Sequence, residues 1–358
     1  RMYIIQKYVL HYYSWRKNVK KFQALYRGGV ARRYFQTQIV VFRAAKIVQR
    51  TFRGHSVRSH MTRSRVLAIH YAAGHNNYDK LNYYVEKYPE LLFELDQEGN
   101  SALHIAAMNA CRRTLKLLLR AELDRNALNF AGYSPLHLII MSQVINRDDL
   151  ALYMLERGFN EEIRTPDRKT CLLLACEYGR TTIVNQLLDD DLDPDVPDEL
   201  GVTCLQTACL QGFYGVVKLL VEHGANVNIA GYGGTFPLHD CVQSDDVRIA
   251  EMLVSHGAYV KNHEPSLGQS PLMYACAAGS TDIAKLYILQ GADVSEPDYN
   301  GYTCAQHSTL SNNIDLYHAL READADFDGT DMNGNSSLHI AVEANSIEYV
   351  KALLEGGA

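Results

Sequence analysis

Cysteine and histidine are the residue types in this chain that could bind a metal or act as nucleophiles. The 358 residues contain 8 cysteines and 14 histidines. One cysteine spacing is repeated, because Thr-Cys-x4-Cys occurs at Cys171/Cys176 and again at Cys204/Cys209. Closely spaced thiols are common zinc ligands and common disulfide partners, so the cysteines alone suggest either kind of site.

An aspartate-rich segment is the second candidate for metal chemistry. Asp324, Asp326 and Asp328, followed by Gly329, copy the opening of an EF-hand calcium loop. The twelfth position of such a loop needs a bidentate glutamate, and here it is Asn335.

Both candidates lie inside a repeated motif that sets the positions of helices. The clearest copy covers residues 132–137 and reads Gly-Tyr-Ser-Pro-Leu-His. Imperfect copies begin at Gly99, Arg168, Gly201, Gly234, Gly268, Gly301 and Gly334, and the longest step is the one from Gly132 to Arg168. Most successive copies start about 33 residues apart, and a fixed period in this range indicates an array of stacked repeats.

Each motif position has a use at the start of a helix. Glycine allows a tight turn, the Ser or Thr caps the helix, and the proline occupies the first helical position, where no N–H is needed. A second apolar helix follows and ends at a glycine, as at Gly224, Gly257, Gly291 and Gly357. Gly132 and Gly158 stand three residues further apart than the matching glycines of other copies, which places an insertion between two helices, around residues 143–146.

With its period of about 33 residues, this motif resembles the ankyrin repeat. The resemblance implies an all-α solenoid of helix pairs with short turn or hairpin tips. In that register Cys171, Cys204 and Cys304 replace the motif proline, and Cys176, Cys209, Cys241 and Cys276 replace small helix residues. We therefore expect buried, reduced cysteines that pack the core.

The remaining polar candidates also fall at repeat positions. The motif histidines His104, His137, His239 and His339 are expected to bond neighbouring turns, and Asp326, Asp328 and Asp331 fall at ordinary turns between repeats. No glycine-rich phosphate loop, pair of catalytic carboxylates or nucleophile–base pair stands out. We predict no enzymatic activity, no cofactor and no bound metal.

The segment 1–65 differs from the array in charge. It carries 16 Lys/Arg and no Asp/Glu, whereas residues 66–358 carry 19 Lys/Arg and 41 Asp/Glu. The net charge of −6 therefore combines an arm near +16 with a remainder near −22. The first proline of the chain is Pro89, so we predict that the arm is a long basic helix.

Two stretches of the arm match each other position by position. Both fit apolar-Gln-x3-Arg-Gly-x3-Arg-x2-apolar, and they follow each other in tandem. The matched residues are Phe22, Gln23, Arg27, Gly28, Arg32 and Phe35 in the first stretch and Val48, Gln49, Arg53, Gly54, Arg58 and Met61 in the second. The pattern resembles the IQ motif, which implies that these residues bind calmodulin or a related EF-hand light chain.

The charge of the arm also suits other acidic partners. A basic helix with many tyrosines is consistent with nucleic acid, an anionic membrane or the acidic tails of microtubules. The duplicated spacing favours the EF-hand partner, and a cytoskeletal or axonemal filament is the alternative. An unidentified protein ligand is expected on the ankyrin-like surface.

These patterns divide the chain into residues 1–65 (arm), 66–98 (degenerate capping repeat) and 99–358 (about eight repeats, the last incomplete). In the capping repeat, Leu67, His70, Ala72, Ala73 and Leu81 align with the next copy. Ser64 could cap a fresh helix, or the arm helix could continue into the array.

No apolar run approaches the roughly 18 residues that span a bilayer. The two modules together imply a cytoplasmic location with cytoskeletal or ciliary association. Because the chain stops inside a repeat, we expect it to be part of a longer protein.

Overall fold

The computed structural model describes residues 59–121, 123–144 and 147–357, with side chains from residue 65 onward. Within these ranges the regular structure is helical, apart from one isolated bridge between Thr330 and Ser336. The helices are α1 (Ser59–Gly74), α2 (Tyr78–Lys87), α3 (Ala102–Met108), α4 (Arg112–Leu118), α5 (Pro135–Met141), α6 (Arg147–Glu156), α7 (Cys171–Glu177), α8 (Thr181–Asp189), α9 (Cys204–Gln211), α10 (Tyr214–Glu222), α11 (Pro237–Asp240), α12 (Val247–Ser255), α13 (Pro271–Ala278), α14 (Thr281–Leu289), α15 (Cys304–Ser311), α16 (Ile314–Glu322), α17 (Ser337–Glu343) and α18 (Ile347–Glu355). The predicted all-α solenoid of helix pairs is confirmed.

The helices form two layers. Each odd-numbered helix packs against the odd-numbered helix of the next repeat, from α1 on α3 to α15 on α17, and even-numbered helices stack beside them, as α8 does on α10. The motif leucines lie between repeats and are almost fully buried, namely Leu103, Leu136, Leu172, Leu205, Leu238 and Leu272. The hydrophobic core therefore runs the length of the array.

The predicted helix starts and stops are confirmed. Ser134, Thr203 and Ser270 each accept a hydrogen bond from the N–H of the third helical residue. The motif prolines Pro135, Pro237 and Pro271 are the first residues of their helices. The glycines that follow the even helices have φ values of 82°, 86°, 81° and 93° at Gly224, Gly257, Gly291 and Gly357. The predicted insertion lies between α5, which ends at Met141, and α6, which begins at Arg147.

The first helix pair departs from the motif. Helix α1 runs unbroken across Ser64, so no new helix starts there. Leu67, which the sequence aligned with the core, is 64% exposed, whereas Ile69 is buried. In other repeats the motif imidazole accepts the N–H of the capping residue, but here the helix continues through that position. His70 Nδ1 is consequently buried without a hydrogen-bond partner.

A second departure occurs in the repeat of residues 231–244. Helix α11 has 4 residues and continues as a 3₁₀ helix over Cys241–Ser244. The turn before it is also 3₁₀, over Tyr232–Gly234. Tyr287 of the next repeat reaches into this site, where its hydroxyl donates to the Leu238 carbonyl at 2.8 Å and lies 3.2 Å from Cys241 Sγ.

The cysteines are packing residues in this structure. All eight are buried and none is in a disulfide. Burial raises the pKa of the thiols of Cys171, Cys176 and Cys209, and raises that of Cys241 to about 12. Thiols with raised pKa values are protonated and unreactive at neutral pH.

The Asp240 carboxyl makes the stability of the array depend on pH. Burial is the largest effect on this carboxyl and raises its pKa from 3.8 to about 6. Hydrogen bonds from Thr235 and Gln206 lower the pKa, but by less than burial raises it. The folded protein therefore holds a proton that the unfolded chain has already lost. As pH rises from about 4 to about 6, this carboxyl lowers the free energy of unfolding, and the penalty is complete above that window.

Replacing the motif leucine Leu136 by alanine should lower the free energy of unfolding by about 2–5 kcal/mol, because a cavity forms between repeats. Leu289→Ala is the control, since Leu289 is 82% exposed. Urea unfolding followed by circular dichroism measures both. Equal losses in the two variants would contradict the assigned packing.

Asp240→Asn should raise the free energy of unfolding at pH 8 by about 1–3 kcal/mol, because no charge is then buried. The gain should disappear near pH 4. Asp245→Asn removes the same charge from an exposed position in the same repeat and should show no such pH-dependent gain. The free energy of unfolding of each variant is measured by urea unfolding at several pH values. The same pH dependence in both variants would contradict a buried charge at Asp240.

Candidate interaction surface

The residues predicted to bind an EF-hand protein fall almost entirely outside the described residues. These are the matched segments 22–35 and 48–58 of the arm. The backbone of Met61 lies in α1, and its side chain is outside what the structure describes. The surface that the structure describes is therefore that of the array.

In three repeats the motif histidine bonds its repeat to the next one. His137 Nδ1 accepts the Ser134 N–H at 3.1 Å, and Nε2 donates to the Ile163 carbonyl in the next turn at 3.0 Å. His104 and His239 make the same pair of bonds, with Nε2 to carbonyl distances of 3.1 Å each. The prediction that the motif histidines bond neighbouring turns is confirmed for these three, and His339 accepts the Ser336 N–H of its own turn at 3.2 Å.

Glutamine replaces histidine in two repeats and keeps both bonds. Gln206 accepts the Thr203 N–H at 3.1 Å and donates to the Thr235 carbonyl at 2.9 Å. Gln306 accepts from Thr303 at 2.6 Å and donates to Gly329 at 2.8 Å. The bridge therefore needs one acceptor and one donor and does not need a titrating ring.

Burial keeps the bridging imidazoles neutral. It lowers the pKa of His104 and His137, and it lowers that of His239 to about 4. With Nδ1 accepting and Nε2 donating, both ring nitrogens are occupied. Across the part of the chain that the structure describes, no group of His, Cys, Asp or Glu is arranged to hold a metal ion.

We call the turn that precedes an odd-numbered helix the tip, and in three repeats a buried aspartate fixes this tip. Asp198 Oδ1 accepts the N–H groups of Leu200 and Val202, both at 2.9 Å. Asp298 and Asp331 hold their own tips by the same two bonds, at 2.9 Å and 2.8 Å. Because these carboxylates lie three residues before the motif glycine, the motif encodes a rigid tip.

Successive tips also contact each other. The N–H groups of Phe130, Tyr299 and Met332 donate to carbonyls of the preceding tip at 3.0, 2.8 and 3.2 Å. A Cβ on Gly99 would overlap the Phe130 ring, and one on Gly268 would overlap the Tyr299 ring. Glycine is required there by this approach and by φ values of 79° and 72°.

The tips expose a row of apolar side chains. Phe130 is 75% exposed, Tyr232 64%, Tyr299 62% and Met332 78%, and each stands two residues before a motif glycine. We call these four residues the tip row. Leu210, Leu310 and Val342 on odd-numbered helices are also exposed. Sequence reasoning missed the tip row because it followed buried positions, although the shared offset from the glycine was readable.

The tip row changes character at Tyr232. Gly231 stands where other copies have the anchoring side chain, and a Cβ there would overlap the Gln206 side chain. The side-chain contact is missing, and the backbone bond that other tips also make remains, from the Gly231 N–H to the Thr235 carbonyl at 2.8 Å. Tyr232 therefore lies on a turn without an aspartate anchor, where the Thr235 hydroxyl donates to the Tyr232 carbonyl at 3.2 Å.

The segment that copies a calcium loop is a turn between repeats, as the register predicts. Asp326 Oδ1 accepts the N–H groups of Asp328 and Gly329 at 2.9 and 3.2 Å. Asp293 makes the same turn one repeat earlier, accepting the Ser295 N–H at 2.9 Å. Asp326 therefore holds an inter-repeat turn in the same way as Asp293.

One buried polar cluster was not predicted. His307 Nε2 lies 3.1 Å from Asp298 Oδ2, and Gln269 of the preceding repeat donates to the same oxygen at 3.1 Å. Burial lowers the pKa of His307, against the carboxylate that raises it. We assign a neutral imidazole that donates to Asp298, which ties this tip to two repeats.

The sequence matches the family profile for ankyrin repeats (three copies) over residues 69–167, 138–231, 172–264, 238–331 and 272–358. The transient receptor potential cation channel subfamily A member 1 homolog of Caenorhabditis elegans is 32% identical over 111 residues, and the Homo sapiens channel of that name is 25% identical over 127. These matches cover 31% and 35% of this chain and 9% and 11% of the relatives. No helix in the described ranges is long and apolar enough to cross a membrane.

A solved structure supports the fold. The human ASB11 ankyrin repeat domain superposes with a TM-score of 0.54 at 23% identity, covering 61% of this chain and 98% of that one. At that level of identity the likeness shows the architecture alone.

His137→Ala should lower the free energy of unfolding by about 1–3 kcal/mol or more, because the Ser134 N–H and the Ile163 carbonyl lose their partner. His137→Gln should recover most of the loss, since glutamine makes both bonds in two other repeats. The free energies of unfolding of the two variants are compared by urea unfolding. If glutamine is as damaging as alanine, the bridge is not what stabilises the turn.

Proposed function

Because this chain belongs to the ankyrin-repeat family, we propose that it is a non-enzymatic scaffold that brings two proteins together. The array binds one protein partner along the tip row, and the arm of residues 1–65 binds calmodulin or a related EF-hand light chain. The scaffold acts in the cytoplasm, at the cytoskeleton or in the cilium. The observation that carries the proposal is the set of exposed apolar side chains on the tips, two of which, Tyr299 and Met332, stand on tips that buried carboxylates hold in place.

Rigid presentation supports a binding role for the tips. An exposed apolar side chain on a mobile loop loses conformational entropy when a partner orders it. The carboxylate bonds and tip-to-tip bonds have already removed much of that freedom. Aromatic residues and methionine are enriched at protein interfaces, and the tip row consists of Phe130, Tyr232, Tyr299 and Met332.

The duplicated arm pattern supports the second partner. Six matched positions occur twice within the arm, which contains no carboxylate, so the arginines have no local counter-charge. An acidic protein with an apolar groove provides both the charge and the pockets for the flanking apolar anchors. The alternative is a cytoskeletal or axonemal role in which the arm lies on an acidic filament, and the uniform charge of the arm favours it as the second candidate.

Arg27→Glu combined with Arg53→Glu should abolish calmodulin binding, because like charges then face an acidic groove. The matched control is Arg16→Glu with Arg43→Glu, which makes the same charge change outside the repeated pattern. Calmodulin affinity is measured with calcium and with a chelator, and microtubule co-sedimentation is measured in parallel. Equal losses of calmodulin binding in both double variants would show a charge effect without the motif. Loss of microtubule binding in both, with calmodulin unaffected, would favour the filament.

A further inference from the structure

Helix α4 differs in charge from every other even-numbered helix in the described ranges. Over Arg112–Leu118 and the 3₁₀ turn Leu119–Ala121 it carries four cations and no carboxylate. Each of the other even helices contains at least one Asp or Glu. The four cationic side chains are exposed, and they are Arg112, Arg113, Lys116 and Arg120. We call this set the basic face.

The spacing of the basic face puts its charges on one side of the helix. Arg112, Lys116 and Arg120 are four residues apart, so they follow one another along the same surface stripe. None of the four forms an ion pair with a described residue. Two of them lie over aromatic rings instead, Arg113 at 5.6 Å from the Tyr78 centroid and Lys116 at 4.9 Å from that of Tyr153.

The rest of the array makes this face unusual. Lysine recurs at the fifth position of even helices, as Lys116, Lys218, Lys285 and Lys351, so a single cation there is ordinary. Residues 159–358 contain 30 Asp/Glu and 10 Lys/Arg, whereas residues 66–158 contain 11 Asp/Glu and 9 Lys/Arg. The three arginines of the basic face therefore lie in the one part of the array that is not strongly acidic.

The basic face lies on a helix that packs against α1, the helix that continues from the arm. Helix α1 packs against α2, α3 and α4, and the Asn76 side chain that follows it accepts the Arg113 N–H at 3.1 Å. Cations continue between the two regions, since Arg65 of α1 lies 4.4 Å from the Tyr88 centroid and Lys87 of α2 lies 5.7 Å from the same ring.

A partner on the second arm segment lies within reach of the array. That segment ends at Met61 inside α1, and Ile69 is the first buried residue among those described. The two positions are eight residues apart along the helix, which is about 12 Å. A folded domain of about 100 residues has a radius of gyration near 13 Å, so a partner bound up to Met61 also reaches the helices that pack on α1.

We propose that the basic face of α4 is a second contact surface for the acidic EF-hand protein bound on the arm. This rests on the proposed function and adds a surface that lies on the array. The partner's carboxylates pair with Arg112, Lys116 and Arg120 once its apolar groove holds the arm. The face contributes affinity and a salt dependence, and the arm segment contributes the specific recognition.

The test uses the full chain with purified calmodulin as the probe, at low and at high salt. The variant Arg112→Gln, Lys116→Gln and Arg120→Gln should weaken calmodulin binding roughly 5- to 30-fold at low salt and by less at high salt. The control is Lys218→Gln, Lys285→Gln and Lys351→Gln, which removes the same charge at matched helix positions and should leave affinity unchanged. Circular dichroism melts check that both variants fold.

Each outcome decides the proposal. Loss of binding in the Arg27→Glu, Arg53→Glu variant with no change in the α4 variant would overturn the second contact and leave the proposed function standing. No loss in the arm variant would overturn both. Weakened binding in the control to the same extent as in the α4 variant would show net charge alone at work. If the α4 variant loses affinity for a duplex nucleic acid while calmodulin binding is unchanged, the face belongs to a different class of partner and the proposal is wrong.

Discussion

No helix pair in this array can bury both of its apolar sides, so each repeat depends on the next one being in register. The motif leucines supply the apolar contact, but apolar contact alone does not fix where the next turn sits. The bond from His137 Nε2, or the equivalent bond from Gln206, fixes where the next turn lies, because it is made to one particular carbonyl of that turn. If the register shifted, a buried carbonyl and a buried N–H would both lose a partner.

The same contacts explain the exposed surface. Asp298 and the preceding tip bond the backbone of this tip and fix its conformation, and in that conformation the Tyr299 side chain is 62% exposed. Where the anchoring side chain is absent, at Gly231, the turn becomes 3₁₀ and α11 shortens. The tip row is therefore a product of the bonds that stabilise the array, and it is uneven where those bonds are missing.

What the sequence predicts well is the chemistry that recurs at every copy. Caps such as Ser134, bridges such as His137 and terminating glycines such as Gly224 depend on neighbours within a few residues or one period away, so counting locates them. What it does not predict depends on a single unrepeated neighbour. The position of Leu67 depends on α1 continuing through the cap, and the raised pKa of Asp240 depends on how completely one repeat covers it.

The distribution of charge gives the chain a direction. Beyond residue 158 carboxylates outnumber cations three to one, which would repel an acidic partner brought close to that surface. Neighbouring packed helices are about 8–10 Å apart, so each repeat moves a bound protein by about one Debye length at physiological salt. A partner on the arm next to α4 is therefore screened from most of the acidic repeats. Under the proposed function, this separation would let an acidic protein bind one end while the tips of the acidic repeats remain open to a partner of different charge.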